Sequence, residues 1–293
     1  MKVIDESIEE IVLRHSNRGM PILQDYLPKD LCHAAAREIL SWERGRVILT
    51  TGFYVAGFAE TDGPAGTLVL AKALEKLGFT PVIVTDDYCR EAFDNQGIEV
   101  IYLSLDADHE EADTILEEQK PVGLISIERC GRNKNGVYAN MRGVDISDNT
   151  APCDELFIKA YGKIPTIGVG DGGNEIGMGN VRDIISEKLE LTPCEIKTDI
   201  LVIASVSNWG AYGITAALQE LSDKELFPEE GFTEAYIRKT VLLGNVDGVS
   251  HEHVFSVDGF GLDIEKEITD ALRVTVHMQT EHSAAEFAAN KWD

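Results

Sequence analysis

Residues 168–179 read Gly168-Val-Gly-Asp-Gly-Gly-Asn-Glu-Ile-Gly-Met-Gly179 and set two carboxylates, Asp171 and Glu175, among six glycines. Glycine lets a backbone turn tightly and lets a ligand come close. A carboxylate held there can offer oxygen to a cation or exchange a proton. Further acids stand in Glu60-Thr-Asp-Gly-Pro, in Glu128-Arg-Cys-Gly-Arg132 and in Asn140-Met-Arg-Gly-Val-Asp-Ile-Ser147. Two like charges about 4 Å apart repel by roughly 4 kcal/mol at an effective dielectric of about 20. Acids that share a crevice therefore hold protons or surround a cation. Oxygen ligands without histidine or thiolate suit Mg²⁺ or Mn²⁺, and Ca²⁺ is compatible with them. The metal-ligand candidates are Glu60, Asp62, Asp171, Glu175 and Asp145, with Glu128 beside them. The plainer alternative makes Asp62 and Asp171 helix caps or turn residues.

Arg129, Arg132 and Arg142 flank the long polar loop from 128 to 150. Guanidinium forks pair with carboxylates or phosphates, so Arg129 and Arg142 are candidates to hold an anionic substrate. Pairing with local acids is the alternative. Ser207 and Asn208 precede a glycine-rich helix start and are candidates for holding an anion on backbone N–H groups, or for capping that helix. Gly168, Gly170 and Gly173 match G-x-G-x-x-G, but Asp171 lies inside the motif and would repel a pyrophosphate. His251-Glu-His253 reads as a solvated loop. Neither a G-x-S-x-G elbow nor a G-x-x-x-x-G-K-[ST] loop is present.

Short, nearly continuous apolar strands alternate with helical stretches. Strands are expected at 46–51, 81–85, 98–103, 122–127, 164–169 and 200–204. Helices are expected at 5–15, 28–43, 67–77, 87–96, 108–119, 153–161, 210–221, 232–243 and 263–279. That alternation predicts an α/β, doubly wound, mostly parallel sheet with helices on both faces. One domain is expected over 1–293. Residues 1–45 form helices on the core, 46–221 bear the site, and 222–293 form a helical extension. In such sheets ligands bind beyond the carboxyl ends of the strands, where the acids fall.

Fifty-one Asp and Glu against 26 Lys and Arg give a formal charge of −25, which disfavours nucleic acid and anionic membranes as partners. Five scattered cysteines without a CxxC pair fit a reducing compartment. The acidic N-terminus is unlike a signal or transit peptide, so a cytoplasmic protein is expected. No apolar run reaches membrane-spanning length. Oligomeric state is open, and a homo-oligomer is compatible with the sequence.

The four acid-bearing motifs, from 60, 127, 140 and 170 onward, resemble in order the C-terminal domain family of D-glutamate cyclase. The resemblance runs from about Thr50 to Trp209. It implies a carbon–oxygen lyase of hydro-lyase type that converts D-glutamate to 5-oxo-D-proline and water. Larger members also carry a separate N-terminal domain, for which these 293 residues leave no room. For that reaction the residues allow Glu175 or Glu128 as base. Asp171, with Asp62, would hold a metal that polarises the γ-carboxyl, and Arg129 or Arg142 would fix the α-carboxylate. The same acids and arginines would also suit metal-dependent hydrolysis of a phosphate ester. A non-catalytic module binding a small anionic metabolite is the third reading.

Overall fold

A computed structural model describes residues 6–189 and 191–289, with side chains as far as residue 276. Six strands form the sheet: β1 Arg46–Thr50, β2 Thr80–Thr85, β3 Glu99–Tyr102, β4 Gly123–Ile127, β5 Thr166–Gly170 and β6 Ile200–Ile203. All pairings are parallel, in the order β3-β2-β1-β4-β5-β6. Side chains alternate between the two faces of a strand. Val47 and Leu49 enter one apolar cluster and Ile48 enters another. Both faces are covered, which is why the strands read as unbroken apolar runs.

The helices are α1 Ile8–Val12, α2 Met20–Gln24, α3 Leu31–Ser41, α4 Pro64–Lys76, α5 His109–Gln119, α6 Asp154–Ala160, α7 Arg182–Lys188, α8 Ser207–Ser222, α9 Phe232–Leu242 and α10 Leu262–Ala289. Helix α8 is the hub of one face, and α1, α3, α4 and α10 all pack on it. It is buried from Ser207 to Gln219, as a helix apolar on every side must be. Helices α5 and α6 cover the other face, with Ile115, Leu156 and Phe157 packed against Ile48 and Leu124. The doubly wound parallel architecture is the one expected.

Several local expectations are corrected. The stretch 87–96 forms one 3₁₀ turn, Asp87–Cys89, followed by further three-residue turns. The Arg90 carbonyl accepts from Tyr102 Oη, and the Ala92 carbonyl from Tyr236 Oη. Carbonyls engaged in this way are withdrawn from a helical ladder, while Cys89, Ala92 and Phe93 still bury. Helices α2 and α7 lie outside the expected helical stretches; each is short, at five and seven residues. The N-terminal helix is seen from Ile8, and residues 1–5 of the sequence lie outside the described residues. The extension after 222 is not wholly helical. Ser256–Val257 and Phe260–Gly261 pair as a small antiparallel hairpin. Asp258 and Gly259 form its turn with φ of 52° and 81°, the left-handed pair that a tight two-residue hairpin requires.

The chain turns in opposite directions from β1 and β4, and ligands bind at such a switch point in open α/β sheets. Here α4 and α8 approach closely because residue 66 is glycine. A Cβ at Gly66 would lie 2.8 Å from Asn208 Cα and 2.9 Å from Ala211 Cβ. Gly66→Ala is expected to lower unfolding stability by about 1–3 kcal/mol despite alanine's better helix propensity, because the new methyl meets backbone. A urea titration showing unchanged or increased stability would contradict this packing.

Candidate active site

Three strand ends build the site. After β1 the chain passes Glu60 and Asp62 before entering α4. After β4 it passes Glu128, and after β5 Asp171 and Glu175. Glu128 has φ of 48°, a left-handed conformation that costs a non-glycine residue about 1–3 kcal/mol and persists where the surroundings impose it. The strained residue stands directly at the end of β4.

The Asp62 carboxylate accepts from the backbone N–H groups of Ser207 (2.8 Å), Asn208 (2.8 Å) and Gly63 (2.9 Å). It therefore caps α8 from the neighbouring start of α4. Asn208 Oδ1 returns the arrangement, accepting from Gly63 N (3.1 Å) and Gly66 N (2.6 Å) at the start of α4. The two helix N-termini satisfy each other's free amides through these two side chains. In dinucleotide folds the first helix start holds a pyrophosphate; here that place is filled.

The glycine-rich segment folds back onto β5. A Cβ at Gly168 would lie 2.6 Å from the Ile176 carbonyl, and one at Gly179 would lie 2.5 Å from the Glu195 carbonyl. Four of its six glycines have ordinary φ; only Gly173 and Gly177 are left-handed. Close backbone packing thus accounts for most of the glycines. The fold brings Glu175 round so that its oxygens accept from Gly172 N and Gly173 N, both at 2.8 Å.

These acids surround a cavity of about 530 Å³. Its floor carries Glu60, Glu128, Glu175 and Asp258 together with Arg18, and Phe53, Tyr54, Val144 and Val249 are among its apolar walls. Asp62 and Asp171 are buried against this floor. Carboxylate oxygens of Asp62, Asp171 and Asp258 lie within 4.8 Å of one another, as do those of Glu128, Asp171 and Glu175. Arg18 bridges Asp171 and Asp258, at 2.8 Å to each. Ser207 Oγ donates to Glu128 Oε2 at 2.6 Å. Three buried oxygens, Glu60 Oε1, Asp171 Oδ2 and Asp258 Oδ2, have no hydrogen-bond partner among the described residues. Orphaned oxygens of this kind are what a cation or a proton would satisfy.

Burial raises the pKa of every one of Glu60, Asp62, Glu128, Asp171 and Glu175. Neighbouring acids add to the effect, as Asp258 does for Glu60 and Asp171 for Glu128. Asp62 is pushed up to about 8, mainly by burial and then by Asp258, against its three backbone hydrogen bonds. Burial pulls Arg18 down, but Asp171 and Asp258 outweigh it and keep the guanidinium charged.

The structure thus brings together Glu60, Asp62, Glu128, Asp171 and Glu175. Asp145 stands apart: it is exposed and accepts from Ser147 N at 2.9 Å in a local turn. Arg129 does not face the cavity. It is buried, pairs with Asp86 at 2.7 Å and donates to the Gly52 and Ala151 carbonyls. Arg132 pairs with Asp154 and Glu155. Arg142 lies exposed on the cavity rim, without an ion-pair partner among the described residues. Ser207 and Asn208 are buried, with their polar groups engaged as described. His251 lines the cavity mouth, while His253 Nδ1 meets the Asn245 carbonyl at 3.1 Å.

Two floor residues, Arg18 and Asp258, are not among the candidates drawn from the sequence. Asp258 had a signal, since Val257-Asp-Gly-Phe260 is a hairpin turn pattern. Arg18 had none, being one arginine in a loop before α2.

The fold and the site place the chain in a class: a doubly wound α/β protein with a buried acidic crevice at its switch point. The family described as "D-glutamate cyclase-like, C-terminal" matches residues 8–273, and the chain belongs to that family. It is 33% identical over 222 residues to the mitochondrial D-glutamate cyclase of Homo sapiens. That match takes in 67% of this chain and 35% of the relative, so the chain spans about a third of the relative's length. Among solved structures, an exopolyphosphatase-related protein from Bacteroides fragilis aligns at 10% identity and a TM-score of 0.40, over 87% of this chain and 59% of its own. The Bordetella bronchiseptica enzyme WbmH, in complex with NAD+, aligns at 10% identity and a TM-score of 0.31, over 70% of this chain and 65% of its own. Likeness this slight carries no functional argument. Among the described residues, no helix is long and apolar enough to cross a membrane.

A carboxyl whose folded pKa lies above its unfolded value binds its proton more tightly when folded. Its contribution is full below the unfolded pKa and is lost as pH rises to the folded one. For Asp62 that window runs from its ordinary 3.8 to about 8, and the other four shift in the same direction. In the presence of a chelator, the melting temperature should fall steadily as pH is raised from about 5 to about 8. A flat or rising profile would show that the cluster is not protonated by burial.

Proposed function

We propose that this cavity binds D-glutamate and closes it to 5-oxo-D-proline with loss of water, as a carbon–oxygen lyase. The family membership and the printed activity of the human relative support this reading. The observation that carries it is a single cavity lined by four carboxyl groups and Arg18, with Asp62 and Asp171 clustered behind them and an exposed arginine on its rim. A zwitterionic substrate needs acids for its ammonium group and a cation for its α-carboxylate, and both are within reach of the same space.

Ring closure forms a bond from the α-nitrogen to the carbon of the γ-carboxyl group and breaks one of that carbon's bonds to oxygen. The two protons lost by nitrogen leave with that oxygen as water. Glu128 is the group best suited to move them. Once ionised it is a stronger base than an ordinary carboxylate, because burial and then the neighbouring Asp171 raise its pKa. Ser207 engages Oε2, and the residue faces the cavity. Glu175 is less suited, because both its oxygens already accept backbone N–H bonds. Its place is to hold the ammonium group. Arg142 takes the α-carboxylate from the rim, and the apolar walls exclude water and fold the substrate toward a near-attack shape.

The donor set fits a hard divalent cation, Mg²⁺ or Mn²⁺: the ligands are all oxygen, closely spaced and buried, and some are orphaned. Asp62, Asp171 and Asp258, with Glu60 beside them, would hold such an ion, which would supply positive charge to polarise the γ-carboxyl. The phosphate-ester alternative loses support because Arg129 and Arg132 are consumed by acids. A cytoplasmic setting belongs to the same proposal and accords with five free, buried thiols.

Purified protein incubated with D-glutamate and Mg²⁺ or Mn²⁺ should release 5-oxoproline, measured by chiral chromatography. Glu128→Gln should reduce turnover by about 10²–10⁴-fold with the melting temperature maintained or increased. Full activity in that variant would remove Glu128 from proton transfer. Arg142→Ala should raise KM with little change in kcat, the signature of lost uniform binding. Steady-state kinetics with KM unaltered would exclude Arg142 as the carboxylate anchor. Absence of product from the wild-type chain with either metal would overturn the cyclase reading for this chain.

A further inference from the structure

Among the described residues, Arg18 is the one cation in the floor of the cavity. It reaches the floor from the loop between α1 and α2, outside the sheet, and meets Asp258 from the hairpin before α10. Its Nη1 lies 2.8 Å from Asp171 Oδ1 and its Nη2 2.8 Å from Asp258 Oδ1. Asp171 and Asp258 are two of the three acids whose oxygens converge within 4.8 Å. Each keeps its second oxygen, Oδ2, buried and without a hydrogen-bond partner among the described residues. The guanidinium thus engages one oxygen of each carboxylate and leaves the other without a hydrogen-bond partner among the described residues. A divalent ion requires several oxygens at about 2.0–2.6 Å and would meet a like charge already bound to two of its ligands.

We propose that Arg18 is the resident cation of this site, and that a divalent ion binds by displacing it from Asp171 and Asp258. This rests on the metal reading of the acidic cluster. Arg18 then sets how tightly the site takes an ion. Two independent arrangements favour displacement over shared occupancy. The first is that the third acid, Asp62, is anchored by three backbone N–H bonds and cannot swing away. The second is that Arg18 borders a cavity of about 530 Å³, which gives its long side chain room to move while the carboxylates stay.

Mn²⁺ binding by isothermal titration calorimetry to the wild-type chain, Arg18→Gln and Arg18→Lys provides the test. Arg18→Gln should bind Mn²⁺ at least tenfold more tightly than wild type. Arg18→Lys, which keeps the charge but cannot fork to both acids, should fall between them. The metal-free Arg18→Gln protein should melt at lower temperature and recover on adding Mn²⁺. Equal or weaker affinity in both folded variants would overturn the proposal while leaving the metal site standing. No Mn²⁺ binding by wild type or either variant would overturn the metal reading and this inference with it. Should Arg18→Gln not fold, a crystal of the wild type with Mn²⁺ bound gives an independent answer. Arg18 more than 4 Å from both carboxylates supports displacement, and Arg18 still bridging them refutes it.

Discussion

Six carboxyl groups held around one guanidinium, away from water, are the constraint to which the rest of this molecule answers. Each charge carried into that crevice loses solvation, and breaking a buried ion pair leaves a stranded charge that costs several kcal/mol. Protons or a cation must make up the difference. The raised pKa values of Glu60, Asp62, Glu128, Asp171 and Glu175 express the first remedy, and the convergent, partly orphaned oxygens leave room for the second. Asp62, pushed up to about 8, can exchange a proton near neutral pH, which ordinary surface carboxylates cannot do.

Holding the acids in place is work done largely by backbone amides. Asp62 sits on the start of α8, Glu175 on the turn at Gly172 and Gly173, and Asn208 on the start of α4. These bonds also show how a sheet with the strand order 3-2-1-4-5-6 has the start of its first crossover helix filled from within the chain. The helix start that would receive a phosphate is closed by Asn208, and the glycines after β5 serve to pack the chain against its own strand. The order of strands chooses where the crevice lies, and the side chains at the strand ends choose its chemistry.

Much of this could be read along the chain. Unbroken apolar runs such as Arg46–Thr50 and Gly123–Ile127 identify parallel strands, and their regular spacing with helices identifies the architecture. The rule that ligands gather beyond strand carboxyl ends then assembles Glu60, Asp62, Glu128, Asp171 and Glu175 from positions more than a hundred residues apart. The stretch from Asp87 to Gln96 misled, since its apolar spacing suits a helix while its carbonyls are claimed by tyrosines from β3 and α9. Arg129 misled for a similar reason. Its position after β4 equals that of a substrate ligand, but the buried Asp86 after β2 captures it.

Periodicity and residue chemistry are local properties, so the order of residues was enough to settle the layered α/β plan, the acidic character of the crevice and the family. Partnership is not local. Whether an arginine meets a substrate or an internal acid depends on which distant carboxylate the fold delivers to it. Arg18 and Asp258 stand 240 positions apart, and nothing near either one announces the other. Packing of the first loop and the last hairpin over one sheet edge made them a pair, set Asp145 aside in solvent, and gave the acids a single cavity to face.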